Sequence, residues 1–495
     1  MRPSAVIILA AGEGTRMKST TPKVLHHIAG RTLINHVVEA AATTEPEHVI
    51  VVVGHGAPEV ISHLDEVAPW VNTVTQTERN GTGHAVRIAL AALNESGVSL
   101  SAGPVVVLTG DTPLLTGDTL NVMLRVHQDS AADATVLTAE LPNPAGYGRI
   151  LRDGDRVIGI VEHKDASPAE QLITEINSGM YAFSISALSN SINNITADNA
   201  QGEEYLTDVI GLMAATSATV MGVPALDSND ILGINDRVQL AEAGAIMRDR
   251  LNEKHMRAGV TIADPATTWI DVDVDIAADA SILPNTVLRG PTSIDTAAEV
   301  GPGTTLISCE VGEGAVVRHT WAELAVIGAR ATIGPFTYLR AGTVIGEAGK
   351  AGAFVEIKNS QLGTGSKVPH LSYVGDATIG EQTNIGAGTV FVNYDGIAKH
   401  RSEVGNAVRI GSDNMLVAPV QIGDGAYTAA GSVITDNVPP GAMAVGRAQQ
   451  RNIRGWVRRK RPGTASAEAA ERAGDSSHMA SDTVSPEASP LDSDH

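Results

Sequence analysis

Residues 276–306, IAADASILPNTVLRGPTSIDTAAEVGPGTTL, carry an aliphatic side chain at every sixth position without a break. Glycine, alanine, serine, threonine and aspartate fill most of the positions between them. A period of six is neither a helical period nor the alternation of a simple strand. It is typical of a triangular β-solenoid, in which three hexads form one coil and each aliphatic side chain stacks on its counterpart one coil away.

The same period extends through much of the second half of the chain. It returns at 327–345 and at 404–422. It is interrupted at 346–356 and at 391–403, where we expect residues to leave the coil as loops. Loops on a rigid scaffold often carry function, so both interruptions are places to look for a site.

The first half of the chain has a different pattern. Residues 1 to about 225 alternate stretches of helical spacing with continuously apolar runs, which are typical of strands buried on both faces. This alternation predicts a Rossmann-like α/β domain with a mainly parallel sheet. Residues 235–259 contain no proline and end on glycine, which predicts one long helix. We therefore expect an α/β domain over 1–234, a linking helix over 235–259, a β-solenoid domain over 260–461 and an acidic tail over 462–495.

Charge and cysteine content exclude some classes of function. The chain has 495 residues and a formal net charge of −21, which argues against binding to nucleic acid or acidic membranes. Its single cysteine, Cys309, excludes an intramolecular disulfide and indicates a reducing compartment. The apolar run near the N-terminus is too short for a signal peptide, so we expect a cytoplasmic protein without membrane insertion. The tail is poor in large apolar side chains, and we expect it to be disordered.

The residues after the first apolar run, LAAGEGTRMKSTTPK at 9–23, look like a phosphate-binding loop but match neither familiar pattern. Met17 stands where both the Walker pattern and G-x-G-x-x-G require glycine, so we reject both. The apolar run ends at Leu9, backbone N–H groups at 12–15 can face an anion, and Lys23 supplies a mobile cation. On these features alone, an ordinary strand-to-helix turn remains an equal alternative.

Longer motifs show a family resemblance. The stretch at 9–23 matches the signature L-x-x-G-x-G-T-R-M-x(4)-P-K of sugar-nucleotide pyrophosphorylases, and QTERNGTGHA, TGDTPLL, GYGRI, VEHKDA, INSGMY and GINDR follow in order. In the second half, GPFTYLRAGT, GAFVEIKNS, KVPHLSYVGDATIG, NIGAGTVFVNYDG and TAAGSVI resemble the bacterial GlmU family, whose members acetylate glucosamine 1-phosphate and then uridylylate it. The resemblance covers residues 4–461 and implies a left-handed parallel β-helix and a role in supplying peptidoglycan precursors.

Asp111 is the first candidate for chemistry, because it follows a buried strand at the edge where open α/β sheets bind ligands. The resemblance implies that UTP and N-acetylglucosamine 1-phosphate react to give UDP-N-acetylglucosamine and pyrophosphate. It implies Mg²⁺ on Asp111 and Asn235, with Arg16 and Lys23 as catalytic cations. It assigns the nucleotide and sugar site to Leu9, Ala10, Ala11, Gly12, Lys23, Gln76, Gly81, Thr82, Thr109, Gly110, Asp111, Gly148, Glu162, Asn177 and Asn235. Without the resemblance, Asn235 would be the N-cap of the long helix.

The resemblance implies a second reaction, acetyl transfer from acetyl-CoA to the amine of glucosamine 1-phosphate. The amine must be neutral to attack, so a base near neutrality is needed, and His370 matches the family's base. The acceptor residues implied are Arg340, Lys358, Tyr373 and Asn384, with Lys367 as a further cation. The acetyl-CoA residues implied are Ala387, Asn393, Tyr394, Ser412, Ala430 and Arg447. Cys309 lies in an earlier coil, so we expect direct transfer without an acetyl-cysteine intermediate.

Relatives close their acetyltransferase sites between three subunits, so the resemblance also implies a homotrimer, with Trp456 near the shared site. Two alternatives remain at the level of sequence. One is a pyrophosphorylase with a single activity, whose solenoid only regulates or oligomerises. The other is a scaffold that uses an inactive transferase fold.

Overall fold

The computed structural model describes residues 2–97, 100, 103–216 and 218–477. In the first half, nine strands form one sheet with helices on both faces. Alternate side chains of the first strand enter two separate cores: Ile8 packs with Ile34 of one helix layer, and Ile7 packs with Val86 of the other. The order of strands across the sheet is Asn72–Thr75, His48–Val53, Ala5–Ala10, Val105–Thr109, Glu175–Phe183, Ala134–Glu140, Val220–Pro224, Arg156–Val161, Arg149–Asp153.

The sheet is more mixed than the sequence predicts. The first four strands in that order are parallel, as expected for strands buried on both faces. Glu175–Phe183 then runs antiparallel to both of its neighbours in the sheet, and the Arg149–Asp153 and Arg156–Val161 pair is an antiparallel hairpin. The antiparallel strand contains Asn177, so its direction decides which edge of the sheet this residue reaches.

The described helices surround this sheet and continue into the second half. The α-helices are Leu33–Ala42, Ala57–Val67, Thr82–Glu95, Gly117–Asp129, Ile185–Ile192, Thr207–Ala215, Arg237–Arg257, Trp456–Lys460 and Ala465–Ser477. Short 3-10 turns lie at Thr15–Met17, Lys23–Leu25, Glu170–Leu172, Ser228–Ile231 and Pro265–Thr267, and His27–Ile28 pairs with Arg31–Thr32 in a small ribbon. None of the helices in the described ranges is long and apolar enough to cross a membrane.

The linking helix runs over Arg237–Arg257 and is capped by Asp236, not by Asn235. The Asp236 carboxylate accepts hydrogen bonds from the N–H groups of Val238 and Gln239, both at 2.9 Å. Because Asp236 takes the cap, the side chain of Asn235 is available for other contacts. At the far end, the buried amide of Asn252 donates to carbonyls of the first coil and fixes the helix to the solenoid.

The second half is a parallel β-helix with three faces, consistent with the left-handed form. Face one contains Thr261–Ile262, Ser281–Ile282, Glu299–Val300, Val316–Val317, Thr332–Ile333, Lys350–Ala353, Lys367–His370, Asn384–Ile385, Arg409–Ile410, Tyr427–Thr428 and Met443–Ala444. Face two contains Trp269–Ile270, Val287–Arg289, Thr305–Ile307, Thr320–Glu323, Thr337–Leu339, Glu356–Lys358, Tyr373–Gly375, Val390–Val392, Met415–Val417 and Val433–Ile434. Face three contains Asp275–Ile276, Ser293–Ile294, Glu310–Val311, Val326–Ile327, Val344–Ile345, Gln361–Leu362, Ala377–Ile379, Ser402–Val404 and Val420–Ile422.

The hexad residues form the core of the β-helix, as predicted. Ile276 pairs with Ile294 three hexads later, and Leu288 pairs with Leu306. All four side chains are buried in one continuous apolar cluster that runs through the second half of the chain. Stacking of each inward side chain on its counterpart in the next coil is what makes short strands stable here.

Of the two predicted loops, one is wrong. Residues 350–353 form a strand of face one, and Ala351 is buried at the inward position between Ile345 and Ile357. The hexad is therefore continuous, and it is hidden in the sequence only because Ala351 is small. The other prediction is confirmed, because residues 393–401 lie between the strands Val390–Val392 and Ser402–Val404 and contain an isolated Tyr394–Lys399 bridge.

The tail also differs from expectation. Disorder was predicted from residue 462, but Ala465–Ser477 is a helix that packs on the preceding helix. Arg458 donates to the Ala470 carbonyl at 3.0 Å, and Ala467 is buried. The helix follows from an alanine-rich composition that the count of acidic residues concealed. The rest of the predicted tail, 478–495, lies outside the described residues.

Candidate active sites

The first site is built where the strand Val105–Thr109 ends. The N–H of Gly110 donates to the Leu9 carbonyl at 2.9 Å, which joins this strand end to the phosphate-loop candidate. The N–H of Ile234 donates to the Asp111 carbonyl at 2.9 Å, which brings the start of the linking helix to the same point. The backbone thus places Asp111 and Asn235 side by side, although they are far apart in sequence.

Lys23 and Arg16 reach this point from the loop. The Lys23 ammonium contacts the Asp111 carboxylate, and it lies 3.5 Å from Oδ1 of Asn235. The same Oδ1 accepts a hydrogen bond from the Arg16 guanidinium at 2.9 Å. Two cations and two side-chain oxygens therefore meet at one point, as the family pattern implies.

A cavity of about 350 Å³ adjoins this centre and brings together most of the predicted nucleotide residues. The predicted residues that line it are Leu9, Ala10, Ala11, Gly12, Lys23, Gln76, Gly81, Thr82, Thr109 and Asp111. Its lining also contains Glu13, Arg79 and Glu203, which sequence reasoning missed. Gly110 supports the cavity through its bond to Leu9 but does not line it.

Gln76 is held in one orientation inside this cavity. Its amide nitrogen donates to the Gly81 carbonyl and contacts Nδ1 of His84, both at 3.1 Å. Gly81 has a φ of 102°, and a Cβ there would lie 2.5 Å from the Glu204 carbonyl oxygen. Glycine is therefore required at this position, and the loop that it closes fixes the amide of Gln76.

The three predicted sugar residues lie together on the antiparallel part of the sheet. The N–H of Asn177 donates to the Gly148 carbonyl at 2.9 Å, and a Cβ on Gly148 would lie 3.6 Å from a Glu162 oxygen. Burial raises the pKa of the Glu162 carboxyl, which accepts a hydrogen bond from Thr207 at 3.2 Å. Tyr147, which sequence reasoning missed, precedes Gly148, and its pKa is raised by burial and by the nearby charge of Asp111.

The second site lies at a corner of the β-helix. His370 ends a face-one strand, and Tyr373 begins the next strand on face two. The carbonyl of His370 accepts a hydrogen bond from the N–H of Gly388 at 3.4 Å, which places Ala387 in the neighbouring coil. The predicted base therefore lies beside the first of the predicted acetyl-CoA residues.

The acceptor residues surround this corner on face two. Tyr373 pairs with Glu356, and Lys358 pairs with Gly375. Glu356 also binds the Arg340 guanidinium at 3.0 Å, so Arg340 lies one coil earlier on the same face. A Cβ on Gly375 would collide with the Tyr373 hydroxyl and the Asn393 amide, so glycine is what allows these two side chains to approach.

Two residues that the sequence did not suggest complete this group. The pKa of Lys399 is lowered by the neighbouring Lys358 ammonium, so two positive charges lie close together. Asp376 accepts hydrogen bonds from Asn359 at 2.7 Å and from Asn393 at 2.5 Å. Burial raises the pKa of Asp376, but these bonds and the charge of Lys358 outweigh it and hold the pKa below its usual value.

The predicted acetyl-CoA residues follow one corner through successive coils. The N–H of Asp413 donates to the Ala387 carbonyl at 2.7 Å, and the N–H of Gly431 donates to the Ser412 carbonyl at 2.8 Å. Backbone atoms of Ser412 and Ala430 lie so close to the preceding coils that a Cβ on Gly386 or Gly411 would collide with them. The result is a line of small residues beside His370.

Other predicted residues lie at the edges of this group. Arg447 reaches Gly431 at the end of the line of small residues, and Tyr394 is exposed on the loop that leaves the coil.

Asn384 pairs with Lys367 on face one. Lys367 is thus on a different face from Lys358, and its place in the acceptor site stays a prediction. No contact within the described residues joins Trp456 to His370; the ring of Trp456 packs under Arg461.

The fold and the two sites define a two-domain transferase, with a nucleotidyltransferase domain followed by an acyltransferase β-helix. A family model described as "MobA-like NTP transferase domain" matches residues 6–156. The relatives named "Bifunctional protein GlmU" include those of Streptomyces avermitilis, Streptomyces coelicolor and Thermobifida fusca. They are 56%, 55% and 54% identical over 95% of this chain and 97%, 97% and 98% of their own lengths.

The chain belongs to the GlmU family. It is a bifunctional enzyme of UDP-N-acetylglucosamine synthesis, with uridylyltransferase and acetyltransferase activities that serve cell-wall synthesis. Because the matches cover both halves, the two alternatives left by the sequence, a single-activity pyrophosphorylase and an inactive scaffold, are set aside.

Proposed function

We propose that the N-terminal cavity binds UTP and N-acetylglucosamine 1-phosphate, with Lys23, Asp111 and Asn235 at its reactive centre. The observation that carries this proposal is the Lys23 ammonium, which contacts the Asp111 carboxylate and lies 3.5 Å from Asn235 Oδ1. The reaction joins two anions, so the protein must align them and neutralise the charge that gathers on the transferred phosphoryl group. Arg16 and Lys23 supply that positive charge at the mouth of the loop.

The donor atoms of this centre fit Mg²⁺. Asp111 offers a carboxylate oxygen and Asn235 an amide oxygen, and hard oxygen donors are what Mg²⁺ prefers. Among the described residues no group of three or more His, Cys, Asp and Glu side chains could hold a metal. Two protein donors suit an ion that takes its other ligands from water and substrate phosphates. Asp111 and Asn235 would hold Mg²⁺, which when bound neutralises phosphate charge.

Gln76 suits the uracil base of UTP, and the residues around Gly148 suit the sugar of N-acetylglucosamine 1-phosphate. The Gln76 amide nitrogen is committed to Gly81 and His84, which leaves its carbonyl oxygen to accept a hydrogen bond from the base edge of uracil. Glu162 and Asn177 present a carboxyl and an amide beside Gly148, where a side chain would fill the space. These groups suit the hydroxyl and acetamido groups of the sugar.

We propose that acetyl transfer takes place at the His370 corner. The neutral amine of glucosamine 1-phosphate attacks the thioester carbonyl of acetyl-CoA, and His370 accepts the proton that the amine loses. The C–S bond then breaks, the acetyl group stays on the nitrogen, and the departing coenzyme A thiolate takes up a proton from protonated His370. The adjacent ammonium groups of Lys358 and Lys399 support a phosphate site for the acceptor. The small residues Ala387, Ser412 and Ala430 let the pantetheine arm lie close to the coil.

Direct transfer is supported by the position of the single thiol. Cys309 is fully buried in an earlier coil, and burial raises the pKa of its thiol. A thiol of this kind is a poor nucleophile. We also propose that the enzyme works in the cytoplasm, which is supported by its use of one reduced cysteine and of UTP and acetyl-CoA as co-substrates.

We propose that the active assembly is a homotrimer, and an apolar corner of the β-helix supports this. His319, Phe336, Phe354 and Leu371 occupy equivalent positions where face one turns into face two, and we call this set the apolar corner. Phe336, Phe354 and Leu371 are 58%, 60% and 63% exposed. All four have φ between 44° and 57°, a strained region for bulky residues. The rings of Phe336 and Phe354 stack with centroids 5.3 Å apart, and the His319 ring is tilted against Phe336 with centroids 5.5 Å apart.

Strained and exposed aromatic residues in a row are costly unless another surface covers them. Leu371 follows His370 directly, so a second copy seated on the apolar corner would lie against the acetyl-transfer site. A homotrimer would therefore bury the apolar corner and close that site in one step.

Replacing Phe354 by glutamate is expected to dissociate the assembly and to lower acetyl transfer, because a buried charge at the interface has no partner. Uridylyl transfer should remain. Light scattering during size-exclusion chromatography measures the mass, and the release of the coenzyme A thiol measures acetyl transfer. Leu324→Glu is the matched control, because Leu324 is also 61% exposed at a positive φ but lies at a different corner. A Phe354→Glu protein that keeps the mass of the unmodified enzyme at high dilution would rule out this interface.

The two proposed sites are tested together by assaying each half-reaction with its own substrates. Release of pyrophosphate from UTP and N-acetylglucosamine 1-phosphate reports the first site, and release of coenzyme A from acetyl-CoA and glucosamine 1-phosphate reports the second. We expect both in one preparation. A protein that catalyses neither reaction would overturn the assignments.

A further inference from the structure

The phosphate-loop candidate contains an acidic residue at its centre. Glu13 lies between Gly12 and Gly14, where backbone N–H groups would meet the triphosphate, and its side chain lines the nucleotide cavity. The charged residues of that lining are three acids, Glu13, Asp111 and Glu203, and two cations, Lys23 and Arg79. The proposed site for a highly charged anion is therefore lined by more negative than positive groups. Binding of the anion then depends on each cation that can leave its carboxylate partner and contact the phosphates.

Both of these cations are paired with carboxylates of the same lining. Lys23 contacts Asp111, and the Arg79 guanidinium contacts the Glu13 carboxylate. The second pair joins the loop after the first strand to the loop that carries Gln76, across the cavity mouth. The side chains of Arg79 and Glu13 are 57% and 43% exposed. Exposed ion pairs contribute little to stability, so this pair can be exchanged for a stronger partner.

We propose that Arg79 is a nucleotide-binding residue that exchanges Glu13 for the phosphates of UTP when the cavity fills. A guanidinium can bind two phosphate oxygens at once and prefers a multiply charged phosphate to one exposed carboxylate. Glu13 holds the arginine at the cavity mouth in the meantime. This inference rests on the proposed assignment of the cavity to UTP. It adds a residue that lies in the QTERNGTGHA motif but is not among the site residues that the resemblance implies.

The competing explanation is that Arg79 only screens the charge of Glu13 and never contacts the nucleotide. A double-mutant cycle on the full-length enzyme separates the two. In the Glu13→Gln background there is no acid to screen, so Arg79→Gln should weaken binding of UTP only if Arg79 contacts the phosphates. We expect a loss of about tenfold in UTP affinity in that background, as for a charged hydrogen bond at a partly exposed site. Calorimetric titration with UTP and Mg²⁺ measures it.

Glu13→Gln alone is expected to strengthen UTP binding, because Arg79 is then free and a repulsive charge is gone. Arg318→Gln serves as the control, since Arg318 is also paired with a glutamate on the surface but lies in the β-helix. Acetyl transfer measured on every variant reports correct folding. If the double variant Glu13→Gln/Arg79→Gln bound UTP as tightly as the single variant Glu13→Gln, the proposal would be overturned. Failure of the unmodified enzyme to bind UTP would instead overturn the assignment of the cavity, and this inference with it.

Discussion

Replacing Asp111 by asparagine is expected to lower uridylyl transfer by about a thousandfold and to leave acetyl transfer at the rate of the unmodified enzyme. The substitution keeps the shape of the side chain but removes the charge that would hold Mg²⁺ and that now pairs with Lys23. Charge stabilisation of a phosphoryl transition state by a metal contributes several kcal/mol, which corresponds to this factor. The neighbouring residue Asn235 cannot compensate, because its amide oxygen carries no full charge.

Pyrophosphate release measures the first activity, and release of coenzyme A measures the second in the same sample. Asp118→Asn is the matched control, because Asp118 is an exposed aspartate in the first turn of the next helix and lines no part of the nucleotide cavity. We expect that control to keep both activities. If Asp111→Asn retained uridylyl transfer, the role given to this carboxylate would be wrong.

The second large effect is expected for His370→Ala, which should lower acetyl transfer by about a thousandfold, within the range of general-base catalysis. His370 lies at the corner between Ala387 of the next coil and Tyr373 of face two, and its imidazole is the proposed acceptor of the proton from the attacking amine. Residual acetyl transfer should rise with pH, because the amine must then lose its proton to solvent before it attacks. Uridylyl transfer should be unchanged.

A pH profile of coenzyme A release distinguishes this role from a structural one. A variant whose β-helix is only misfolded would lose acetyl transfer at all pH values. His370→Gln provides a second test, since it preserves a polar side chain without a base of suitable strength. An acetyl-transfer rate for either variant equal to that of the unmodified enzyme would show that another group accepts the proton.

The fold could be predicted where the buried positions carry large aliphatic side chains, because these make the sequence period visible. The inward residues from Ile276 to Leu306 are aliphatic, so the hexad is visible and the β-helix follows from it. Ala351 fills the same kind of position but is small, and this is why an ordered strand was mistaken for a loop. The direction of Glu175–Phe183 depends on long-range pairing with strands on both sides, which no local pattern specifies.

Some residues of the candidate sites could be predicted from motifs, and others could not because only the tertiary fold brings them to the site. Asp111, Asn235 and Lys23 lie in long motifs, and the structure brings them to one point. Lys399 and Arg79 were missed because their partners, Lys358 and Glu13, lie on other segments and meet them only through the tertiary fold. The chain turns a corner of the β-helix every few residues, so Lys367 lies on face one and Lys358 on face two, and no local pattern specifies this division.

We propose that one chain carries a Mg²⁺-dependent site on oxygen donors and a separate site that depends on histidine. Chelation of divalent metal in the unmodified enzyme, with both half-reactions assayed before and after, tests it most directly. We predict that EDTA abolishes pyrophosphate release, that added Mg²⁺ restores it, and that release of coenzyme A stays constant throughout. Persistence of uridylyl transfer in EDTA, or parallel loss and recovery of both activities, would contradict the account.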